Sequence, residues 1–281
     1  MIKMTIEQID KFKHYLICEE KSKATIEKYI HDVTAFYKWF SGRELTKDAV
    51  LEYKAEIVEK YAPASVNSIL ASLNSFFNQN ELYGLRIKNL KIQKRIFCQS
   101  EKELTKPEYE RLLKAAKDKN NEKLYLLMQT ICATGIRVSE LKFITAEAVK
   151  CGQAQVKLKG KIRTILLPKE LCRVLKQYIK NQEIKSGCIF RTRNGKPIDR
   201  CGIWKAMKSL CETAGVSREK VFPHNLRHLF ARTYYSLQKD IVRLADILGH
   251  SSINTTRIYT IENGETYRRQ MQKLGLVCMK A

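Results

Sequence analysis

The chain has 281 residues, 44% of them hydrophobic, enough for two domains and a substantial core. Lysine and arginine number 52 against 29 aspartate and glutamate, and the resulting +23 is spread along the whole chain, so a polyanion, nucleic acid first, is the expected partner. No stretch reaches the ~18 apolar residues of a membrane span, and the opening Met1-Ile2-Lys3-Met4-Thr5 lacks a secretory apolar core, so a soluble, cytoplasmic protein without a membrane partner is expected.

Thr5 with Gln8 forms a capping-box pattern, and Ile9, Phe12 and Leu16 follow at helical spacing. Ser22 can cap a second helix whose Ile26, Ile30, Val33, Tyr37 and Phe40 make one apolar stripe. A third helix after Thr46 carries Val50, Tyr53, Ile57 and Val58, and a fourth from Pro63 carries Val66, Ile69, Leu70, Leu73, Phe76 and Phe77. Four such helices with short polar joints read as a small bundle, with stripes for core and Lys21, Lys23, Lys28, Lys38 and Arg43 on outer faces as phosphate contacts. From Gly84 to Ser100 the period is lost while Arg86, Lys88, Lys91, Lys94 and Arg95 accumulate, which reads as a basic linker.

Order restarts at Thr105-Lys106-Pro107-Glu108, a capping threonine with a first-turn proline and acid. The helix from about Glu122 is apolar at Leu124, Leu127, Met128 and Ile131 and ends at Thr134-Gly135, where the glycine permits a sharp turn that presents Arg137. Arg137 and Glu140, three apart, can face each other. Gln153 to Lys159 alternates, Arg163 to Leu167 is extended, and between them Lys159-Gly160 reads as the tip of a β-hairpin. Another extended pair is expected from Cys188 to Thr192 and beyond, turned at Asn194-Gly195. Helices near Ile203 to Ala214 and Asn225 to Leu237 follow, with Trp204 able to stack near the site but expected in the core. The fold class is thus mainly α with a small antiparallel β-sheet. Nine cysteines, without a CxxC pair and odd in number, read as reduced thiols, giving neither a disulfide framework nor a metal site.

Residues 222–260 concentrate the chemistry. Three of the five histidines lie there. His224 and Arg227 are three apart, on one helical face, and can reach a single anion. Ile241, Leu244, Ala245 and Leu248 form a further apolar stripe stopped by Gly249, which leaves His250 in a turn. In one unbroken helix the nine residues from His250 to Tyr259, at ~100° each, would point the two to opposite faces. Gly249 and the Ser251-Ser252 pair argue for a break that lets them converge.

His224-Asn225-Leu226-Arg227-His228, then Leu248-Gly249-His250, then Tyr259, resemble the HxLRH, LGH and nucleophile boxes of the tyrosine recombinases, the phage-integrase and Xer-like family. Ala133 to Leu141 (ATGIRVSEL) resembles that family's first arginine box, and Lys159-Gly160 its hairpin lysine. The boxes run in the family's order over about 134–259, whereas the N-terminal part matches only in general character. The resemblance implies a SAM-like, DNA-gripping core-binding domain over 1–85, a linker over 86–101 and a catalytic domain over 102–281.

It also implies an activity: cutting and rejoining double-stranded DNA through a covalent 3′-phosphotyrosine, with strands exchanged through a Holliday junction. The implied partners are DNA, a homotetramer on paired sites, and accessory DNA-bending or directionality factors. Arg137 and Arg227 would bind the phosphate oxygens as planar, permanently charged forks. Tyr259 would attack, with His224 as base, while His250 would hydrogen-bond a non-bridging oxygen. Lys159 would protonate the departing 5′ oxygen. Lys161 is the alternative, because the turn is shorter than the family's Gly-Lys-Gly form. Glu140 would fix the site and His228 would pack against the clamp. No carboxylate cluster suits Mg²⁺, so neither metal nor cofactor is expected.

With the bundle starting almost at Met1, a simple or Xer-like site is expected rather than an arm-binding integrase. A type IB topoisomerase-like relaxing enzyme shares the tyrosine chemistry, and an inactive DNA-binding accessory protein would share only the charge. The tail from Glu265 to Val277 either caps its own domain or docks on a neighbour.

Overall fold

The computed structural model describes residues 4–92, 100–158, 161–259, 264–274 and 276, and the chain packs as two units, Met1–Lys94 and Arg95–Ala281. The first is built from α1 (Ile6–Cys18), α2 (Lys23–Phe40), α3 (Lys47–Lys60) and α4 (Pro63–Gln79). Each start follows its capping chemistry. Thr5 and Gln8 satisfy one another's backbone N–H groups, Ser22 and Thr46 accept from Thr25 and Ala49, and Pro63 occupies the first turn of α4.

At the centre of this unit Phe36 meets Tyr53 at 5.0 Å and Phe77 at 6.1 Å between ring centroids. The expected α2 stripe passed over Phe36 in favour of Tyr37, which is only half-buried. Lys28 also departs from expectation. It turns onto Asp32, the Ser68 carbonyl and Ser72, across to α4, because a nearly buried carboxylate needs a cation and donors there.

The first part of the basic linker is packed. Leu85 and Ile87 are buried, Asn74 exchanges two hydrogen bonds of 2.8 Å with the Ile87 backbone, and Asn67 does the same for Leu90 at 2.7 and 3.0 Å. Two amides thus imitate a neighbouring strand for an irregular segment. Residues 93–99 lie outside those described.

The second unit opens with α5 (Lys106–Asp118), capped by the expected Thr105–Glu108 box, and α6 (Glu122–Thr134). A 3-10 stretch (Val138–Phe143) and α7 (Ala146–Cys151) lead to the antiparallel hairpin of β1 (Gln153–Leu158) and β2 (Lys161–Leu166), paired from Gln153↔Leu166 to Leu158↔Lys161. Then come α8 (Lys169–Asn181), α9 (Arg200–Lys208), α10 (Cys211–Ala214), α11 (Pro223–Gln238), α12 (Ile241–Leu248), α13 (Ile253–Thr256) and α14 (Gly264–Lys273). α11 packs along α6, which is buried at Leu124, Leu126, Leu127, Met128 and Ile131. That contact places the HxLRH helix over the end of the helix that leads to Arg137.

Two expectations are corrected. Around Asn194-Gly195 the turn forms, with the Thr192 N–H bonded to the Lys196 carbonyl at 2.7 Å, but the flanks make only isolated bridges at Cys188 and Arg191. Among the described residues the sheet has two strands. The helix expected from Ile203 to Ala214 is broken at Ser209, whose hydroxyl donates back to the Ala206 carbonyl at 2.9 Å and competes with continuation of the helix.

Candidate active site

Most of the candidate side chains sit near an element end fixed by local backbone rules. α6 stops because Gly135 adopts the left-handed region at φ 65°, and the chain turns into the 3-10 stretch with Arg137 at its head. Glu140 closes a capping box, accepting from the Arg137 backbone N–H at 2.7 Å and from its Nη1 at 3.2 Å. Glu140 is 2% exposed, and a second guanidinium, Arg163 Nη2, reaches the same carboxylate at 2.5 Å.

Pro223 starts α11, so His224, Arg227 and His228 fall on its first two turns. Arg227 is 1% exposed. Its Nη1 donates to the Gly135 carbonyl at 2.5 Å, and Nη2 to the Leu248 carbonyl at 2.8 Å and to His250 Nε2 at 2.9 Å. The Nε of Arg227 is buried without an acceptor, an unpaired donor in a position where donors are ordinarily matched. The arginine therefore ties the end of α6 to the end of α12.

Asp240 caps α12 and Gly249, at φ 63°, ends it, leaving His250 in the turn as expected. A guanidinium has no lone pair to offer, so His250 Nε2 must accept. Its proton then resides on Nδ1 and is donated to the Thr256 hydroxyl, 2.8 Å away. Ser252 caps α13, which passes into a 3-10 turn over Arg257–Tyr259. This break brings Tyr259 back beneath His250, with ring centroids 6.1 Å apart and planes 14° from parallel. The phenol ring also meets His228 edge to face at 4.8 Å, and His228 in turn meets His224 at 4.5 Å.

Charge and burial together set the protonation states. Burial, then the neighbouring Arg137, pull Arg227 down to about 10, while the interaction with Tyr259 opposes the fall, so Arg227 remains a cation at neutral pH. Burial, followed by Arg227, Arg137 and Arg163, holds His250 down to about 4. Burial, followed by His224 and Arg227, does the same to His228, also to about 4. His224, exposed at the rim, is lowered by partial loss of hydration and then by Arg227, Arg137 and Arg200. All three imidazoles are neutral at pH 7.

A cleft of about 390 Å³ lies beside this cluster, lined by Arg137, Ser139, Arg200, Trp204, His224 and Arg227 among others. Of the residues singled out from sequence, Arg137, Glu140, His224, Arg227, His228, His250 and Tyr259 come together here. Lys159 lies outside the described residues, as does the side chain of Lys161.

Three side chains at the site were not assigned to it from sequence. Trp204, expected in the core, is 45% exposed on the cleft wall, and Arg200 sits one turn before it; their spacing of four and the Asp199 cap just ahead were the available signal. Arg163 was read only as a strand residue. Among the described residues no three histidine, cysteine or carboxylate side chains are grouped as metal ligands.

A model described as the phage integrase family matches residues 102–265, and one described as the phage integrase N-terminal SAM-like domain matches residues 9–80. Tyrosine recombinase XerA of Pyrococcus furiosus is 30% identical over 282 residues, spanning 96% of this chain and 95% of that protein. Tyrosine recombinase XerD of Listeria innocua is 31% identical over 277 residues, spanning 90% and 93%. A crystal structure of XerA recombinase aligns over 98% of this chain and 100% of its own at 26% identity and a TM-score of 0.52. The XerH recombinase bound to its difH substrate before cleavage aligns over 94% and 93% at a TM-score of 0.69, and at 19% identity it speaks for the fold alone.

Proposed function

Because the chain belongs to the phage integrase family of tyrosine recombinases, enzymes that cleave and rejoin DNA at specific sites, we propose that Tyr259 is its nucleophile and that Arg137 and Arg227 hold the scissile phosphate. One observation carries the reading: the Tyr259 ring, 4% exposed, is packed against His228 and against His250, which is bonded to Arg227, and Arg227 and Arg137 together line the neighbouring cleft. Neither a relaxing enzyme nor an inactive accessory protein is favoured, since relatives matched along nearly the whole chain are recombinases.

The phenol oxygen attacks phosphorus as the bond to the 5′ oxygen breaks. The phenol proton passes to neutral His224 and a proton from the hairpin lysine, Lys159 or Lys161, reaches the leaving oxygen. Charge builds on the non-bridging oxygens, where the guanidinium of Arg137 on the cleft wall and the fixed positive charge of Arg227 are suited to meet it. No side-chain rearrangement is needed to keep Arg227 aimed, because two backbone carbonyls and His250 already fix it.

For His250 a tautomer has to change. Its Nε2 accepts from Arg227, so it aligns the clamp, and donation to a phosphate oxygen requires the Nδ1 proton, held by Thr256, to be exchanged for one on Nε2. Attack by a 5′ hydroxyl of another strand on the phosphotyrosine then reverses the step and completes exchange without an external energy source. Four protomers on two paired sites supply the strands.

The test is a nicked suicide substrate carrying a family-type site. The native chain is expected to form a covalent adduct that survives denaturation, and Tyr259→Phe to form none while still shifting the DNA in a native gel. An adduct in Tyr259→Phe would refute the assignment.

A further inference from the structure

We propose that Arg163 is a positioning residue for cleavage: it neutralises the buried Glu140 so that Arg137 keeps its positive charge for the phosphate, and it fixes the turn that presents His250. The proposal rests on the assignment of Arg137 and Tyr259 made above and adds a residue outside the boxes.

The hairpin itself signals that Arg163 is unusual. Directly opposed residues of an antiparallel pair share a face, and Arg163 opposes Val156. That face carries Ala154, Val156 and Ile165, each under 5% exposed, whereas Ile162 and Leu166 on the other face are 69% and 74% exposed. The strand therefore turns an arginine inward and two large aliphatics outward, the reverse of what burial favours. An inward guanidinium needs partners, and Arg163 has them at both terminal nitrogens, while its buried Nε has no acceptor. Nη2 reaches Glu140 Oε2 and Nη1 reaches the Ile247 carbonyl, both at 2.5 Å. A Cβ on Gly249 would strike the Arg163 Cδ, so the residue before His250 is glycine for space as well as for its left-handed φ.

The charges explain why this arrangement serves the reaction. Glu140 is one anion facing two cations. The arginine closer to it and more buried is Arg163, its side chain 16% exposed against 40% for Arg137. With Arg163 discharging the carboxylate, Arg137 is held chiefly by its backbone N–H at 2.7 Å and its guanidinium stays a net cation on the cleft wall. Without Arg163, Glu140 would draw Arg137 into a neutral pair and withdraw it from the phosphate. The same guanidinium holds the last turn of α12 through Ile247 and adds to the field that keeps His250 unprotonated.

The experiment measures covalent adduct formation on the nicked substrate for Arg163→Met, Arg163→Lys and the double variant Arg163→Met/Glu140→Gln, with native-gel binding and thermal unfolding alongside. Arg163→Met is expected to bind DNA and to form adduct about 100-fold more slowly, the scale of a misplaced reacting group. Removing the unneutralised carboxylate in the double variant should recover about 10-fold of that loss, a coupling that a purely structural arginine would not show. Arg163→Lys keeps the charge but cannot span Glu140 and Ile247 together, so it should fall between the native chain and Arg163→Met. Adduct formation at the native rate in Arg163→Met, or a double variant no faster than Arg163→Met, overturns the proposal. Absence of adduct in the native chain would instead strike the tyrosine assignment and this role with it.

Discussion

The His250 ring is engaged at both nitrogens, one accepting from a guanidinium and the other donating to a hydroxyl, so adding a proton would set two donors against each other at 2.9 Å. Burial first, and then the charge of Arg227 and its neighbours, push His250 down to about 4, and burial followed by His224 and Arg227 does the same to His228. A base with a lower pKa folded than unfolded stabilises the fold only while it is neutral in both states. Between 6.5 and about 4 the unfolded chain takes up protons that the native chain refuses, so stability falls as pH falls through that window and is level above it. Imidazole resonances in a nitrogen-15 spectrum should show His250 as the Nδ1–H tautomer, without titration from pH 8 to 5, while the unfolding midpoint drops below pH 6.5. A His250 that titrates at its ordinary value, or that carries its proton on Nε2, would contradict the hydrogen bonds assigned here.

Elements contribute mainly through where they stop. Gly135 and Gly215 both end helices in the left-handed region, at φ 65° and 58°, but only Gly135 is crowded: a Cβ there would overlap the Phe230 ring, whereas Gly215 has open space. Gly215→Ala should therefore cost about 1 kcal/mol, the backbone penalty alone. Gly135→Ala should cost about 3 kcal/mol, since overpacking adds to it, and it should also slow cleavage because the Gly135 carbonyl anchors Arg227. Thermal unfolding of the two variants checks the difference, and equal losses would mean that Phe230 yields freely.

The same contrast explains what was legible in sequence. Caps at Thr5, Ser22, Thr46 and Thr105, and stops at Gly135 and Gly249, are local chemistry and were readable, as was the break that folds Tyr259 back onto His250. Arg163 and Trp204 were not assigned to the site. Arg163 sits in an alternating strand whose inward face is revealed only by its pairing with Val156. Trp204 looks like a core residue until the cleft beside α9 is known. Lys28 was misjudged for a similar reason, its partner Ser72 being supplied by α4.

At the scale of the whole molecule, the tail bears on how one copy would meet another. α14 and the residues after it expose Met271 at 69%, Leu274 at 64% and Leu276 at 82%, and they follow closely on the segment that carries Tyr259. Apolar side chains left in solvent at these levels form a patch of the kind that takes a partner. Burial of each large side chain against a neighbour would contribute about 1.5–3 kcal/mol. Met271→Asp with Leu274→Asp should therefore leave single-site binding and adduct formation on a lone suicide substrate in place, while lowering recombination between two sites and removing the slowest-migrating complex on paired sites in a native gel. Full recombination by that double variant would mean that the tail is not the joint between protomers. An equal loss of adduct on a lone site would show that the tail acts within its own protomer by holding Tyr259.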